Sequence, residues 1–535
     1  IMGFPVAVVV AWAFELAPEG VRRTPSACEE REAFPDGRSG LPAKTLVALG
    51  LLVAAIAVGW FVMGNGGGEP EVTDRSIAVL PFETLGQEET TTFTDGVHGD
   101  LLTRLSHISD LSVISRTSVM RYRTSEKLLP AIAAELGVAW VLHGEVQETG
   151  DQVQVNARLV NAGTDRQVWA ESYRRKLTAG NLFEIQAEIT RQIARALETR
   201  LSPEEERQVE RTPTENLDAY RLYAQGRELL DQRTEDGMRR ALDYFQRAIA
   251  QDSSYALAWV GLADGLSLLE FYNYPNPGIA LGARQAARRA LELDPTLGEA
   301  HASLGIVHSV RQEGPEAVLE LQRAVELRPG YAEAHAWLGW MHVILGRQEE
   351  ALEPMKRAAM LDPLAPAFRA YLAEAYLANG RSRDALREAR RAREIQPDYP
   401  LAHFMEGLVL YQLGMMAEAK AVLRDVLPFV RPRGTPSLSE VRAVLAVTHA
   451  ASGDSTAARE LLARIEEANH PFSAGLVHAA LGEDEAAFDA FARVSTWDSF
   501  STEHFRYFFP DILGPLRDDP RYQELLREVD RSWGL

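Results

Sequence analysis

Histidine is the residue type whose spacing first suggests chemistry in this 535-residue chain. His301 and His308 lie seven apart, His335 and His342 repeat that interval, and His403 continues the series. Two imidazoles on one helix face can hold a divalent metal, but a zinc site wants four converging ligands, and none accompany these pairs. The single cysteine, Cys28, excludes a thiolate cage and an internal disulfide framework. No His-Glu-x-x-His, Gly-x-Ser-x-Gly or Walker sequence occurs. Gly64-Asn65-Gly66-Gly67-Gly68 has no strand before it and no Lys-Ser/Thr after it, so it reads as a flexible spacer rather than a phosphate loop. Asp95 and Glu145 are lone carboxylates in loops or strand ends, a poor basis for acid–base catalysis. The residues therefore point to a non-catalytic chain without a cofactor or a metal.

The elements that carry these histidines repeat. Residues 299–399, read in lines of 34, agree column by column. Ala317, Ala351 and Ala385 share one column, and Pro329, Pro363 and Pro397 share another. Leu304–Gly305 lies over Leu338–Gly339 and Leu372–Ala373. A fixed period with small residues in fixed columns marks a helix–turn–helix repeat. Gly339, Ala351 and Ala358 would let two antiparallel helices approach closely, Gly346 would supply a left-handed turn, and Asp362–Pro363 would stop the second helix.

His335, Leu338–Gly339, His342, Ala351, Met355, Ala358 and Pro363 resemble the tetratricopeptide repeat pattern. The resemblance implies a curved stack of helix pairs that binds other proteins and is not an enzyme. It places the histidines in the fourth and eleventh columns, where ring-bearing residues pack between helices. It places ligands in a concave groove, lined here by Ile306, Trp340, Val343, Ile344, Leu377, Phe404, Leu408 and Tyr411. An apolar groove with Trp and Tyr suits an amphipathic helix or an extended peptide, although these side chains could equally pack between repeats. Ala302 and Ile306 stand where chaperone-binding relatives clamp a terminal carboxylate, which argues against chaperone tails. Eight units are expected over residues 217–494. Residues 495–535, with Tyr522, Leu525, Leu526 and Val529 on one stripe, are expected to cap the array.

Ahead of the repeats, residues 76–201 read as βαβαβββα, a small α/β domain with a mixed sheet. Strands are expected at 77–82, 111–116, 138–147, 152–160 and 167–173, and helices at 94–108, 128–136 and 182–201. Ala78-Val79-Leu80-Pro81-Phe82, Asp95-Gly96, Ile114-Ser115-Arg116-Thr117-Ser118, Leu136-Gly137-Val138, Leu142-His143-Gly144-Glu145-Val146 and Trp169-Ala170-Glu171 resemble the TolB-type amino-terminal domain. Ser202-Pro203-Glu204-Glu205 reads as a capping box that restarts a helix in a linker over 202–216.

Residues 46–63 carry no charge and are long enough to span a bilayer. Arg22, Arg23, Arg31, Arg38 and Lys44 precede them, whereas only Arg75 follows closely, so everything after Met63 is expected outside the cytoplasm, in a bacterial periplasm. The opening, Gly3-Phe4-Pro5-Val6 and Ala11-Trp12-Ala13-Phe14-Glu15-Leu16, resembles the membrane anchor of large bacterial tetratricopeptide proteins and reads as a truncated membrane helix over 1–17. A cytoplasmic loop over 18–44, a membrane helix over 45–63 and a linker over 64–75 would follow. A formal charge of −20 argues against a general nucleic-acid surface.

The expected fold is mostly α: a solenoid of tetratricopeptide repeats preceded by a small α/β domain and a transmembrane helix. The expected function is a membrane-anchored scaffold that binds proteins or peptides. The alternative is the sensor half of a signalling protein, with a nucleotide cyclase or winged-helix output domain upstream.

Overall fold

The computed structural model describes residues 14–17, 20–23, 74–85, 91–272, 274, 279–430 and 436–535. The chain forms two compact units, residues 1–69 and 70–535. In the first, Phe14–Ala17 (β1) pairs antiparallel with Gly20–Arg23 (β2). Phe14–Ala17 is therefore strand where the sequence suggests the end of an apolar helix; Pro18 cannot continue a helical hydrogen-bond ladder. The rest of that segment and the apolar run 46–63 lie outside the described residues. Among the described residues no helix is long and apolar enough to cross a membrane.

The second unit opens with a mixed sheet. Its strands are Ser76–Val79 (β3), Glu83–Leu85 (β4), Ser112–Val113 (β5), Trp140–Thr149 (β6), Gln152–Asn161 (β7) and Arg166–Lys176 (β8). The order is β5-β3-β6-β7-β8, with β4 also beside β6. β3 runs parallel to both its neighbours, and β6, β7 and β8 form an antiparallel meander. β3 is central and buried at all four positions, which is why it reads as an unbroken apolar run. β7 instead alternates, burying Val153, Val155, Ala157 and Leu159. Thr91–Ser106 (α1) and Ala179–Ala196 (α4) bury Leu101, Leu105, Ile185 and Ile189 in the same core as the sheet. Arg116–Met120 (α2) and Leu129–Leu136 (α3) complete the domain. The expected strand over 111–116 is cut short at Val113. The reason is tertiary: Ser115 N–H donates to the Leu361 carbonyl of the repeat array, 2.7 Å away, rather than to a neighbouring strand. α1 starts at Thr91, three residues earlier than expected, and Thr94 is buried inside it.

Pro203–Glu210 (α5) joins the domain to the repeats through the capping box read from the sequence: Ser202 Oγ accepts from Glu205 N–H and Glu205 Oε2 accepts from Ser202 N–H. Eight helix pairs follow among the described residues. They are Leu217–Asp231 (α6) with Glu235–Gln251 (α7), Ala256–Phe271 (α8) with Ile279–Leu293 (α9), Gly298–Val310 (α10) with Gly314–Leu327 (α11), and Ala332–Ile344 (α12) with Gln348–Leu361 (α13). Then come Pro366–Ala378 (α14) with Ser382–Ile395 (α15), Pro400–Gln412 (α16) with Met416–Val426 (α17), Leu438–Ala451 (α18) with Ser455–Glu467 (α19), and Pro471–Ala480 (α20) with Asp484–Phe491 (α21). The column residues act as their sizes require. A Cβ on Gly339 would meet Met355 Cγ at 2.7 Å, so the close approach of α12 and α13 needs a glycine there. Gly346 has φ +80°, the left-handed turn between the two helices.

Residues beyond the eighth pair run through Ser499–Glu503 (α22), a π turn at His504–Phe508, Pro510–Leu513 (α23) and Pro520–Ser532 (α24). Tyr522, Leu525 and Val529 are buried as a capping helix requires. The segment also does more than cap the end. It crosses back over the first helices of earlier pairs, and Trp533 is buried among Leu338, Met341, Ile344 and Leu345 of the fourth pair.

Candidate functional site

The histidine series is structural, and it has two jobs. In the fourth column, His301, His335 and His403 turn Nε2 toward the carbonyl of the proline six residues before, at 3.3, 3.0 and 2.7 Å from Pro295, Pro329 and Pro397. Each ring thus ties the start of a first helix to the turn that precedes it. Burial lowers His335 to about 4, so it is neutral at ordinary pH. In the eleventh column, Nδ1 of His308 lies 2.5 Å from Glu313, and His342 Nδ1 lies 3.4 Å from Glu350 without hydrogen-bond alignment. His449 and His478 repeat the arrangement with Asp454 and Glu483 at 2.9 and 2.7 Å. Among the described residues no group of three or more His, Cys, Asp or Glu side chains could hold a metal ion.

The two lone carboxylates also find partners. Glu145 accepts from Arg158 and Asn156 across the β6–β7 pair, both at 3.2 Å. Asp95 is buried and paired with Arg123 and with Arg116, the latter at 3.9 Å. Arg116 in turn reaches Asp231 of α6 at 3.0 Å. The α/β motifs noted in the sequence therefore hold the domain against the array. Gly96 is one of them: a Cβ there would meet Tyr220 Oη at 2.9 Å and Ala224 Cβ at 3.0 Å.

This contact follows the turns between successive helix pairs. Arg211 pairs with Asp294, and Gln208 donates to Thr296 at 3.2 Å. Gly330 N–H donates to Ser106 O at 3.0 Å, and Arg328 Nε to Ser106 Oγ at 2.6 Å. Ser118 Oγ donates to Asp362 and accepts from Leu364 N–H at 2.9 Å. Arg121 reaches the Ile395 carbonyl at 3.5 Å. The proline column sits in these same four turns, at Pro295, Pro329, Pro363 and Pro397. Burial pushes Asp362 up to about 7, against the lowering effect of its Ser118 bond.

The expected groove residues are in contact with the chain's own C-terminal segment or within the core. Phe404 faces His504 at 5.8 Å between ring centroids, and Tyr411 faces Phe509 at 5.7 Å. Gln412 donates to the Phe508 carbonyl at 3.0 Å. Val343, Leu377 and Leu408 belong to the main core, Ile344 packs in the cluster that holds Trp533, and Ile306 is buried. Trp340 is half-buried, hydrogen-bonded to Glu503 of the C-terminal segment, and edge-to-face with Trp337 at 5.2 Å and with Phe271 at 6.1 Å. Phe271, Tyr272, Tyr274, Trp337 and Trp340 form a half-buried aromatic cluster on the first helices of the second and fourth pairs and the loop after α8. Only Trp340 of this cluster stands in the groove positions that the repeat resemblance supplies. Trp337, one residue outside those columns, was legible in the sequence only as a second tryptophan three positions away.

Gln312 shows how the C-terminal segment is held. It stands where the fourth and fifth pairs have Gly346 and Gly380, yet takes φ +61° without being glycine. Its amide donates to the Trp497 carbonyl at 2.6 Å.

Comparison with known proteins agrees with the repeats. Residues 304–366 and 372–433 match the tetratricopeptide repeat family, and residues 73–192 match the second domain of HilA/YgeH-like transcriptional regulators. The chain thus carries tetratricopeptide repeats behind a small α/β domain. A curated relative, putative adenylate cyclase 3 of Rhizobium meliloti (strain 1021), is 31% identical over 246 residues, covering 45% of this chain and 41% of the relative. Solved structures with similarity include a thermophilic tetratricopeptide protein of Thermus thermophilus, at 22% identity and TM-score 0.31 over 36% of this chain and 99% of that one. YrrB, described as having an unusual peptide-binding site, is 26% identical with a TM-score of 0.25 over 35% of this chain and 90% of its own. Cut9 in complex with Hcn1 is 14% identical with a TM-score of 0.42 over 66% and 67%.

Proposed function

We propose that the chain is an interaction scaffold that takes a protein segment, an amphipathic helix or an extended peptide, on the concave face of its array. The observation that supports this is the half-buried cluster of Phe271, Trp337 and Trp340. Helix α12 explains its place. Tyr331 and Glu333 at one end face the α/β domain, Ile344 and Leu345 at the other pack on Trp533, and the two tryptophans between them remain partly open. Large rigid rings with an N–H at the edge are the usual anchors of a bound segment. Peptides selected by display against the full chain test the reading. Binding to Trp337→Ala should weaken about tenfold or more. Undiminished binding to both Trp337→Ala and Trp340→Ala would remove this face from the account.

The α/β domain is proposed to be of the TolB type, and the chain to be anchored in a bacterial inner membrane by residues 46–63 with the array outside the cytoplasm; its uncharged run and the Lys/Arg asymmetry support this. A reporter active only in the cytoplasm, fused after Leu535, should stay silent.

The relative named as an adenylate cyclase and the regulator-type domain favour a second reading, in which this chain is the sensing half of a signalling protein. This chain spans only 41% of that relative. Cyclic AMP production by the product of the complete gene would favour this reading over the scaffold alone.

A further inference from the structure

A cavity of about 130 Å³ lies in the seam between α1 of the α/β domain and the first helices of the array. Its wall includes three tyrosines, Tyr220, Tyr223 and Tyr331, and more carboxylates than guanidinium groups. We infer that this cavity takes a small organic cation, a primary amine or a short diamine. The inference goes beyond the peptide-binding face and does not depend on it.

What decides the charge of the ligand is which wall groups are already satisfied. Every guanidinium is. Arg116 pairs with Asp231 at 3.0 Å, Arg328 with Glu299 Oε1 at 2.9 Å, and Arg227 with Asp264 behind the wall at 3.3 Å. Asp95, Asp100 and Asp231 are likewise partnered, by Arg123, Tyr220 and Arg116, but two wall carboxylates keep unused acceptors. Glu299 is 6% exposed, and its Oε2 has no hydrogen-bond partner among the described residues. Glu333 is half-buried and has no hydrogen bond or ion pair among the described residues. A buried carboxylate oxygen without a donor costs folding free energy, so a ligand that brings donors is favoured. The spare capacity of the site is acceptor capacity, and an anion would find each cation already matched.

The other properties of the wall narrow the class. Phenol rings present a negative face to a cation. Burial raises Asp100, whose Oδ2 accepts from Tyr220 at 2.7 Å, and a bound cation would restore its charge. An inorganic ion is disfavoured, because no set of three converging ligands exists among the described residues. A cavity near 150 Å³ accommodates benzene in a well-studied lysozyme variant, so about six non-hydrogen atoms fit here. The cation would touch both the α/β domain and the array, so its occupancy would strengthen the contact between them.

Calorimetric titration of the full chain with 1,4-diaminobutane at low salt tests this. Saturable one-to-one binding is expected, weakened about tenfold or more by Glu299→Gln and less by Glu333→Gln, as loss of a charge-assisted hydrogen bond predicts. Hydrogen exchange should slow in α1 and around residues 328–333 when the diamine is bound. Inorganic phosphate should give no saturable heat. If Glu299→Gln loosens the fold through Arg328, Glu333→Gln on the more open edge still decides. No saturable binding of the diamine, saturable binding of phosphate instead, or wild-type affinity in both variants would overturn the inference.

Discussion

The α/β domain and the C-terminal segment both sit on the repeat array, but different forces hold them. The domain is held mostly by directed polar contacts to the turns, Ser115 N–H to Leu361 O, Gly330 N–H to Ser106 O and Ser118 to Asp362, with Tyr220 of α6 as an apolar anchor in its core. The C-terminal segment is held mostly by ring packing, with Phe505, Phe508, Phe509 and Trp533 all but fully buried, and by a few bonds such as Gln312 to Trp497 O and Gln412 to Phe508 O. Hydrogen bonds fix position because they work at one distance and angle; apolar burial supplies free energy with little direction. The first contact therefore sets register along the array, and the second supplies bulk stability to its inner face. A polar contact that follows four turns in sequence cannot slide.

The largest effect should come from the apolar side. Phe505 stacks on Tyr522 at 4.6 Å and meets Phe491 at 5.5 Å and Trp497 at 5.2 Å. Phe505→Ala should cost about 3–5 kcal/mol in a denaturant melt and expose residues 499–533 to hydrogen exchange. An equal loss of protection in the α/β domain would break the distinction between the two contacts. Next, Ser118→Ala removes one of the two side-chain donors, Ser118 and Thr117, to the buried Asp362 and should cost about 1–3 kcal/mol. Its exchange signature should lie in α2 and around Asp362, not in the C-terminal segment.

Each contact also buries an acid, which sharpens the comparison by pH. Burial raises Asp362 to about 7; burial, with Glu374 alongside, raises Glu503 well above the carboxylate range. A folded pKa above the unfolded value near 4 means that the neutral form favours folding. That contribution is complete below pH 4 and is lost as pH rises through the folded value. His335, lowered to about 4, works in the opposite sense: its contribution is complete above about 6.5 and is lost as pH falls through 4. Asp362→Asn should flatten the loss between about pH 4 and 7 at the α/β contact alone, and Glu503→Gln the loss from about pH 4 upward at the C-terminal segment alone, as seen by segment-resolved exchange. The smallest effect should be Arg521→Ala. Its pair with Glu485 is exposed, that with Asp519 half-exposed, and its guanidinium lies 4.0 Å over the Phe488 ring, so a small drop in Tm at most is expected.

The repeats were legible because their signal is periodic and local. Gly339 and Gly346 do in space what their columns require, and so does the capping box at Ser202. The α/β strands were legible to within a few residues, except where Ser115 leaves the sheet for Leu361 and at Glu83–Leu85, a three-residue strand that the expected order lacks. The candidate sites were less so. Periodicity identifies which residues line the inner face but not what lies on that face, because contacts such as Gln412 with Phe508 join residues 96 positions apart. The histidine spacing was legible as spacing, while its role depended on carbonyls six residues back, in turns that only the fold closes. Asp95 looked like a lone carboxylate because its partners, Arg116 and Arg123, lie on other elements.

The contacts at Asp294, Gly330, Asp362 and Ile395 give the molecule a mechanical character. A spring whose coils are wired together along one side cannot lengthen one coil at a time. Tension applied along the helical stack would be borne first by that row of bonds, so the front half should resist stretching and then yield abruptly.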